Sequence, residues 1–141
     1  MQSERDRIRV LLAQFPLETH SRGLLTVAGM LRDAGMEVLL IGNALPEQIV
    51  ETAVQENVDV IGISTYCGGE VVLAADLVRA AEASGIKNRT VFVLGGIFPH
   101  SSVPKLRDMG FTGIFPPSST KDEIVSCITK AVASARQSAR E

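Results

Sequence analysis

Short runs of β-branched and aliphatic residues alternate along this chain with longer segments whose apolar residues recur every three or four positions. Ile8–Leu12 reads as a strand. Residues 23–34 follow at helical spacing, with Leu24, Leu25, Ala28 and Leu31 on one side and Gly35 as a stop signal. Val38–Ile41 is a second strand. Pro46 then sits where the first turn of a helix tolerates proline, and Ile49, Val50, Ala53 and Val54 continue that helix. Val58–Ser64 is a third strand, Val71–Ala83 a helix ending before Gly85, and Thr90–Leu94 a fourth strand. Pro104–Met109 is a short helix closed by Gly110, Gly113–Phe115 a brief fifth strand, and Lys121–Ala133 a last helix. The charged residues 1–6 and the small, polar tail 133–141 are expected to be loose, leaving an ordered core of about 7–133.

Strict β–α alternation predicts a parallel sheet with helices on both faces. Strands two to four lack polar alternation, which is what burial on both faces requires. Five strands in this arrangement most commonly take the flavodoxin-like (Rossmann-like), doubly wound order 2-1-3-4-5. That order also locates a site. The chain runs one way from the first strand and the other way from the third, and a crevice opens at their carboxyl ends. The loops that meet there are AQFPLETHSRG, STYCGGE and GGIFPHSS, and they hold the distinctive polar residues and glycine pairs of the chain.

Composition narrows the classes. A length of 141 residues suits one domain, 1–141, long enough for a core without staples. With no Trp and one Tyr, that core must be aliphatic. The net charge of -2 comes with no basic stripe that would follow a phosphate backbone, so no nucleic-acid partner is expected. No segment approaches the ~20 apolar residues of a membrane span, and the first residues do not read as a signal peptide, so a cytoplasmic protein without membrane contact is expected. Cys67 and Cys127 stand far apart, with no ligand cluster for structural zinc.

Among the loop residues, Glu18-Thr19-His20 places a carboxylate two residues before an imidazole, ahead of Gly23 and a helix. One ring nitrogen can bind a metal while the other donates to the carboxylate, which orients the ring and raises its basicity. The only other histidine is His100, so a single imidazole suffices only where the metal brings its other ligands with it, as in a haem or a corrin. From spacing alone, a solvated loop histidine beside a surface glutamate is the plainer reading. Gly68-Gly69 and Gly95-Gly96, on one edge of the sheet, permit a tight turn or the close approach of a bulky ligand. Neither fits G-x-G-x-x-G or a P-loop. Ser64 ends the third strand, as a crevice hydroxyl or an ordinary cap. It stands where a response regulator would need an aspartate. A Cys67–His20–Glu18 triad can be drawn, but a small buried cysteine is commoner than a nucleophile.

Taken together, these loops resemble the cobalamin-binding domain of the methylmalonyl-CoA mutase family, whose signature runs Asp-x-His-x-x-Gly, Ser-x-Leu, Gly-Gly. Here the elements read Glu18-Thr19-His20-Ser21-Arg22-Gly23, Ser64-Thr65-Tyr66 and Gly95-Gly96, and the likeness runs from about Ile8 to about Ile128. The resemblance implies a corrin held with its own base displaced and His20 as the lower ligand of cobalt. Its nucleotide tail would lie beside the sheet, in the gap between the first and third strands. Cofactor contacts are expected from Glu18, Thr19, His20, Ser21, Arg22, Gly23, Ser64, Tyr66, Gly68, Gly95, Gly96 and Phe115. Two departures matter. Glu18 is one methylene longer than the family Asp, so Glu18→Asp is expected to tighten binding unless the loop has adapted. Tyr66 replaces a Leu and brings a hydroxyl that needs a partner.

The function this implies is the cobalamin-binding small subunit of an adenosylcobalamin-dependent carbon-skeleton mutase, acting on an acyl-CoA and inactive alone. The partner would be a large barrel-type subunit that binds the acyl-CoA. The alternative is a non-catalytic corrinoid carrier or cobalamin-responsive binding module.

Overall fold

A computed structural model describes residues 7–66 and 68–140. Its elements are β1 (Arg9–Gln14), α1 (Arg22–Asp33), β2 (Glu37–Asn43), α2 (Pro46–Glu56), β3 (Val60–Thr65), α3 (Glu70–Ala83), a 3-10 turn (Lys87–Arg89), β4 (Val91–Gly96), α4 (Ser102–Met109), β5 (Phe111–Phe115) and α5 (Lys121–Arg140). All strands are parallel, in the order β2-β1-β3-β4-β5. The expected flavodoxin-like, doubly wound topology is thus present, with its switch point at the carboxyl ends of β1 and β3.

Each strand sends alternate side chains to two separate cores. Leu11, Ile61, Ile63, Phe92, Leu94 and Phe111 pack with α2, α3 and α4. Val10, Leu12, Val60, Val91 and Val93 pack with Leu24, Ala28 and Leu31 of α1 and Ile124, Ile128 and Val132 of α5. Every residue of β3 is buried. A buried hydrogen bond, Ser102 Oγ donating to Glu70 Oε1 at 2.7 Å, joins the starts of α3 and α4.

Two expectations need correction. β2 is not buried on both faces: none of its residues is fully buried, because the strand lies at the sheet edge. The tail is not loose from residue 133: α5 continues to Arg140. No Gly or Pro interrupts Ala133–Arg140, and Ala, Arg and Gln favour helix. Ala135 packs against the α1/α5 core, and Arg136 reaches Asp59 at 3.3 Å. Several elements also begin earlier than their sequence pattern indicated, notably α4 at Ser102 and β5 at Phe111. No described helix is long and apolar enough to cross a membrane.

Candidate functional site

The loop between β1 and α1 is pinned by residues that end strands. Gln14, the last residue of β1, donates from Nε2 to the carbonyl of His20. Asn43, the last of β2, donates from Nδ2 to the carbonyls of Phe15 at 3.0 Å and Glu18 at 2.6 Å. At the tip, Leu17 has a positive φ of 73° and is exposed.

These anchors turn the Glu18 side chain inward and the His20 ring outward: their side chains are 3% and 61% exposed. Glu18 Oε2 accepts from the backbone N–H of His20 at 3.2 Å and lies 2.9 Å from Nδ1 of the same ring. Its other oxygen accepts from the backbone N–H of Tyr66, across the switch point. A carboxylate only accepts, so the proton belongs on Nδ1 and the Nε2 lone pair is left for another partner. The plainer reading of a surface glutamate beside a solvated histidine is therefore wrong about Glu18. It is a buried acceptor shared by two loops.

Tyr66 stands beside this pair. Its ring centroid is 5.5 Å from that of His20, tilted by 41°. A Cβ on Gly23 would lie 2.6 Å from the Tyr66 hydroxyl, so the glycine in the first turn of α1 makes room for the phenol. The substitution that departs from the family pattern has its space provided on the facing helix.

Beside His20 opens a hollow of about 750 Å³, on the α1/α5 face of the sheet. That is an ordinary size for a small-molecule or cofactor site. It does not lie in a gap between β1 and β3, as the resemblance implied, because those strands pair from Val10↔Val60 to Gln14↔Ser64. Small residues make it. Gly62, Ser64 and Gly95 line it from β3 and β4, where larger side chains would fill the space. Gly113 of β5 seats Phe115: a Cβ there would be 2.8 Å from the Phe115 ring, which folds back along the sheet to the hollow.

Of the expected contacts, His20, Ser21, Arg22, Gly23, Ser64, Tyr66, Gly95, Gly96 and Phe115 line this hollow, with Glu18 behind His20. Thr19 and Gly68 do not line it. Gly68 and Gly69 have φ of 85° and 74° and lead into α3, so their immediate role is the turn. Gly96 combines a φ of 127° with close approach to β3, since a Cβ there would fall 1.9 Å from the Thr65 carbonyl oxygen. Sequence reading missed Gln14, Asn43, Gly62 and Gly113. For the last two the signal was present, since glycine inside a strand marks close approach.

The disfavoured Cys67–His20–Glu18 triad involves Cys67, which lies outside the described residues. Cys127 is on α5, and burial pushes its thiol up from the ordinary value against the opposite pull of Arg107 and Lys130. Among the described residues no three of His, Cys, Asp and Glu come together to hold a metal. What the site offers is one oriented imidazole at the mouth of an apolar hollow, which fits a metal that brings its own ring of ligands.

The family model described as "B12 binding domain" matches residues 8–125. The chain is 36% identical over 126 residues to a 2-hydroxyisobutanoyl-CoA mutase small subunit from Aquincola tertiaricarbonis, covering 86% of this chain and 92% of that protein. It is 37% identical over 124 residues to a pivalyl-CoA mutase small subunit from Xanthobacter autotrophicus, covering 86% and 82%. It is also 28% identical over 134 residues to a methylmalonyl-CoA mutase large subunit from Streptomyces virginiae, covering 94% of this chain and 18% of that one. In fold it is similar to a cobalamin-binding protein from Desulfitobacterium hafniense, with a TM-score of 0.75 at 20% identity, covering 88% of this chain and 58% of that one. A response-regulator receiver domain from Mycobacterium tuberculosis shares the fold as well, with a TM-score of 0.65 at 19% identity over 90% and 97%.

Proposed function

The chain belongs to the B12-binding domain family, and from that premise we propose that it is the cobalamin-binding small subunit of a two-subunit mutase that rearranges the carbon skeleton of an acyl-CoA, with His20 as the protein ligand to cobalt. The carrying observation is the pair formed by buried Glu18 and exposed His20 at the mouth of the hollow. Small-subunit relatives of acyl-CoA mutases, alike over most of both chains, support the mutase reading over that of a carrier.

The cofactor would be adenosylcobalamin, which when bound supplies a weak cobalt–carbon bond as the source of a radical. This chain's residues do the holding. Glu18 keeps the His20 proton on Nδ1 and fixes the ring, so Nε2 is the nitrogen that would hold the metal. Gly62, Ser64, Gly95 and Gly96 leave room for the nucleotide tail on the α1/α5 face, and Tyr66 and Phe115 flank it. Substrate chemistry belongs to the partner, a large subunit whose barrel would bind the acyl-CoA.

The test is titration of the chain with adenosylcobalamin followed by absorbance, then reduction to Co(II) and electron paramagnetic resonance on protein labelled with ¹⁵N-histidine. A nitrogen coupling that changes with the label is expected in wild type and absent in His20→Ala. Binding with no label-dependent coupling would remove His20 from the metal.

A further inference from the structure

Resting on the cobalamin reading, we propose that Asn43, at the end of the edge strand, is a positioning residue for His20: its amide locks a turn that the turn's own residues disfavour, and so holds the metal-binding ring ready before the cofactor arrives. The turn is Phe15-Pro16-Leu17-Glu18, closed by the Glu18 N–H donating to the Phe15 carbonyl at 3.2 Å. Pro16 fixes φ at about −65° in its second position. Leu17 has a φ of 73° in its third. That combination makes a type II turn, whose third position calls for Gly or Asn. A leucine is strained there, and such strain persists only where the surroundings over-determine it. Leu17 is 89% exposed, so packing of its side chain does not supply the restraint.

Asn43 supplies it. The amide nitrogen carries two hydrogens, and it donates to the Phe15 carbonyl at 3.0 Å and the Glu18 carbonyl at 2.6 Å, the first and last of the turn. Phe15 is buried in the core beside α2 and α3, which fixes one end of the turn. The other end carries the carboxylate that lies 2.9 Å from His20 Nδ1. A β-bulge brings Asn43 to this place. β1 and β2 pair as Leu12↔Leu40 and then Ala13↔Gly42, so Ile41 is an extra residue and Asn43 faces Gln14 instead of Phe15. Gly42, with a φ of 74°, permits the bulge. Without the clamp, Leu17 would return to a negative φ in part of the population. Only the remaining fraction would present Glu18 and His20 as they stand here, and the apparent dissociation constant would rise by the reciprocal of that fraction.

The experiment is a double-mutant cycle on the full chain, Asn43→Ala against Leu17→Gly, read by cobalamin affinity and by stopped-flow absorbance. Asn43→Ala is expected to weaken binding about tenfold through a slower association. The ¹⁵N-histidine coupling of the bound Co(II) form should stay unchanged, because the same ligand is used by fewer competent molecules. In the Leu17→Gly background the same substitution should cost at least about threefold less, since glycine takes a positive φ without strain. Contacts that Leu17 itself makes with the cofactor cancel in the cycle. If Asn43 only stabilises the fold, Asn43→Ala will lower the melting temperature without changing affinity, or will cost the same affinity in both backgrounds. Either result overturns the proposal. Should Asn43→Ala not fold, Asn43→Asp, which keeps the volume and loses both donors, takes its place in the cycle. Wild type that binds no cobalamin, or binds it without histidine coupling, would instead remove the reading on which the proposal rests.

Discussion

Among the described residues, Glu18 gives its two oxygens to the Nδ1–H and backbone N–H of His20 and the backbone N–H of Tyr66. Replacing it with glutamine makes one of those positions an NH₂ that faces a donor. The loop then relaxes only if one bond is lost or if the imidazole moves its proton to Nε2, the nitrogen needed for the metal. Glu18→Gln should weaken cobalamin binding by about 10–100-fold, and the lost buried acceptor should cost about 1–3 kcal/mol of stability. Titration and chemical denaturation of the purified variant measure the two effects. Glu18→Asp is informative in the other direction. It restores the family residue, yet the loop is built round the longer acid, with the backbone of residue 18 fixed by Asn43. The shortened carboxylate should fail to span from His20 to Tyr66, so weaker binding than wild type is expected. Tighter binding would show that the loop follows the acid. His20→Ala removes the ligand itself and should exceed either change, with a loss beyond about 100-fold and no shift of the bound spectrum.

At the scale of elements, glycines in the strands decide where the hollow lies. Gly62→Val puts branched carbons between Leu12 and Val93. Leu12 can give way at its flexible end but Val93 is stiff at χ1, so the stability cost should lie in or above the ~1–3 kcal/mol of ordinary overpacking. Cobalamin binding should fall much further than that, because the space is consumed, and calorimetry against thermal melting separates the two. The glycine pairs divide differently. Gly96→Ala must move the β3 backbone, since its Cβ would meet the Thr65 oxygen, and it keeps an unfavourable φ. Gly68→Ala has the same kind of φ but open space around it. The expected order is a loss of about 1–2 kcal/mol for Gly68→Ala and a clearly larger one for Gly96→Ala, read from denaturation midpoints. The first pair shapes a turn and the second shapes both the strand crossing and the hollow, although as dipeptides they look alike.

At the scale of the whole molecule, the described site ends at a histidine presented to solvent, and exposed Leu17 and Ile97 lie on loops at the same edge of the sheet. A site left this open binds a cofactor without enclosing a substrate. The purified chain is therefore expected to bind cobalamin and to rise in melting temperature with cobalamin concentration, by the logarithmic dependence of mass action. It should turn over no acyl-CoA until a large subunit is added. Turnover by the chain alone would contradict the division of labour proposed above.

The alternation of β-branched runs with amphipathic ones determined the element order, and a parallel sheet needs crossover helices, so strand order and switch point followed from pattern alone. The motif residues could be placed on the correct edge for the same reason. Pattern did not show that β2 would be half-exposed, because edge position is a property of the sheet and not of the strand. It also missed the helical continuation through Ala133–Arg140, whose polar composition hid the anchoring of Ala135 and Arg136 on distant parts of the chain. Only the folded chain made Glu18 a buried acceptor, since its burial depends on Gln14, Asn43 and Tyr66, which lie as far as 48 residues away. Likewise Gly62 is isolated in sequence, and nothing local ties it to Ser64 or to the Gly95-Gly96 pair. They line one hollow only because adjacent strands turn the same face toward α1 and α5. Local periodicity sets which element forms, whereas a site depends on side chains that long-range pairing brings to one face.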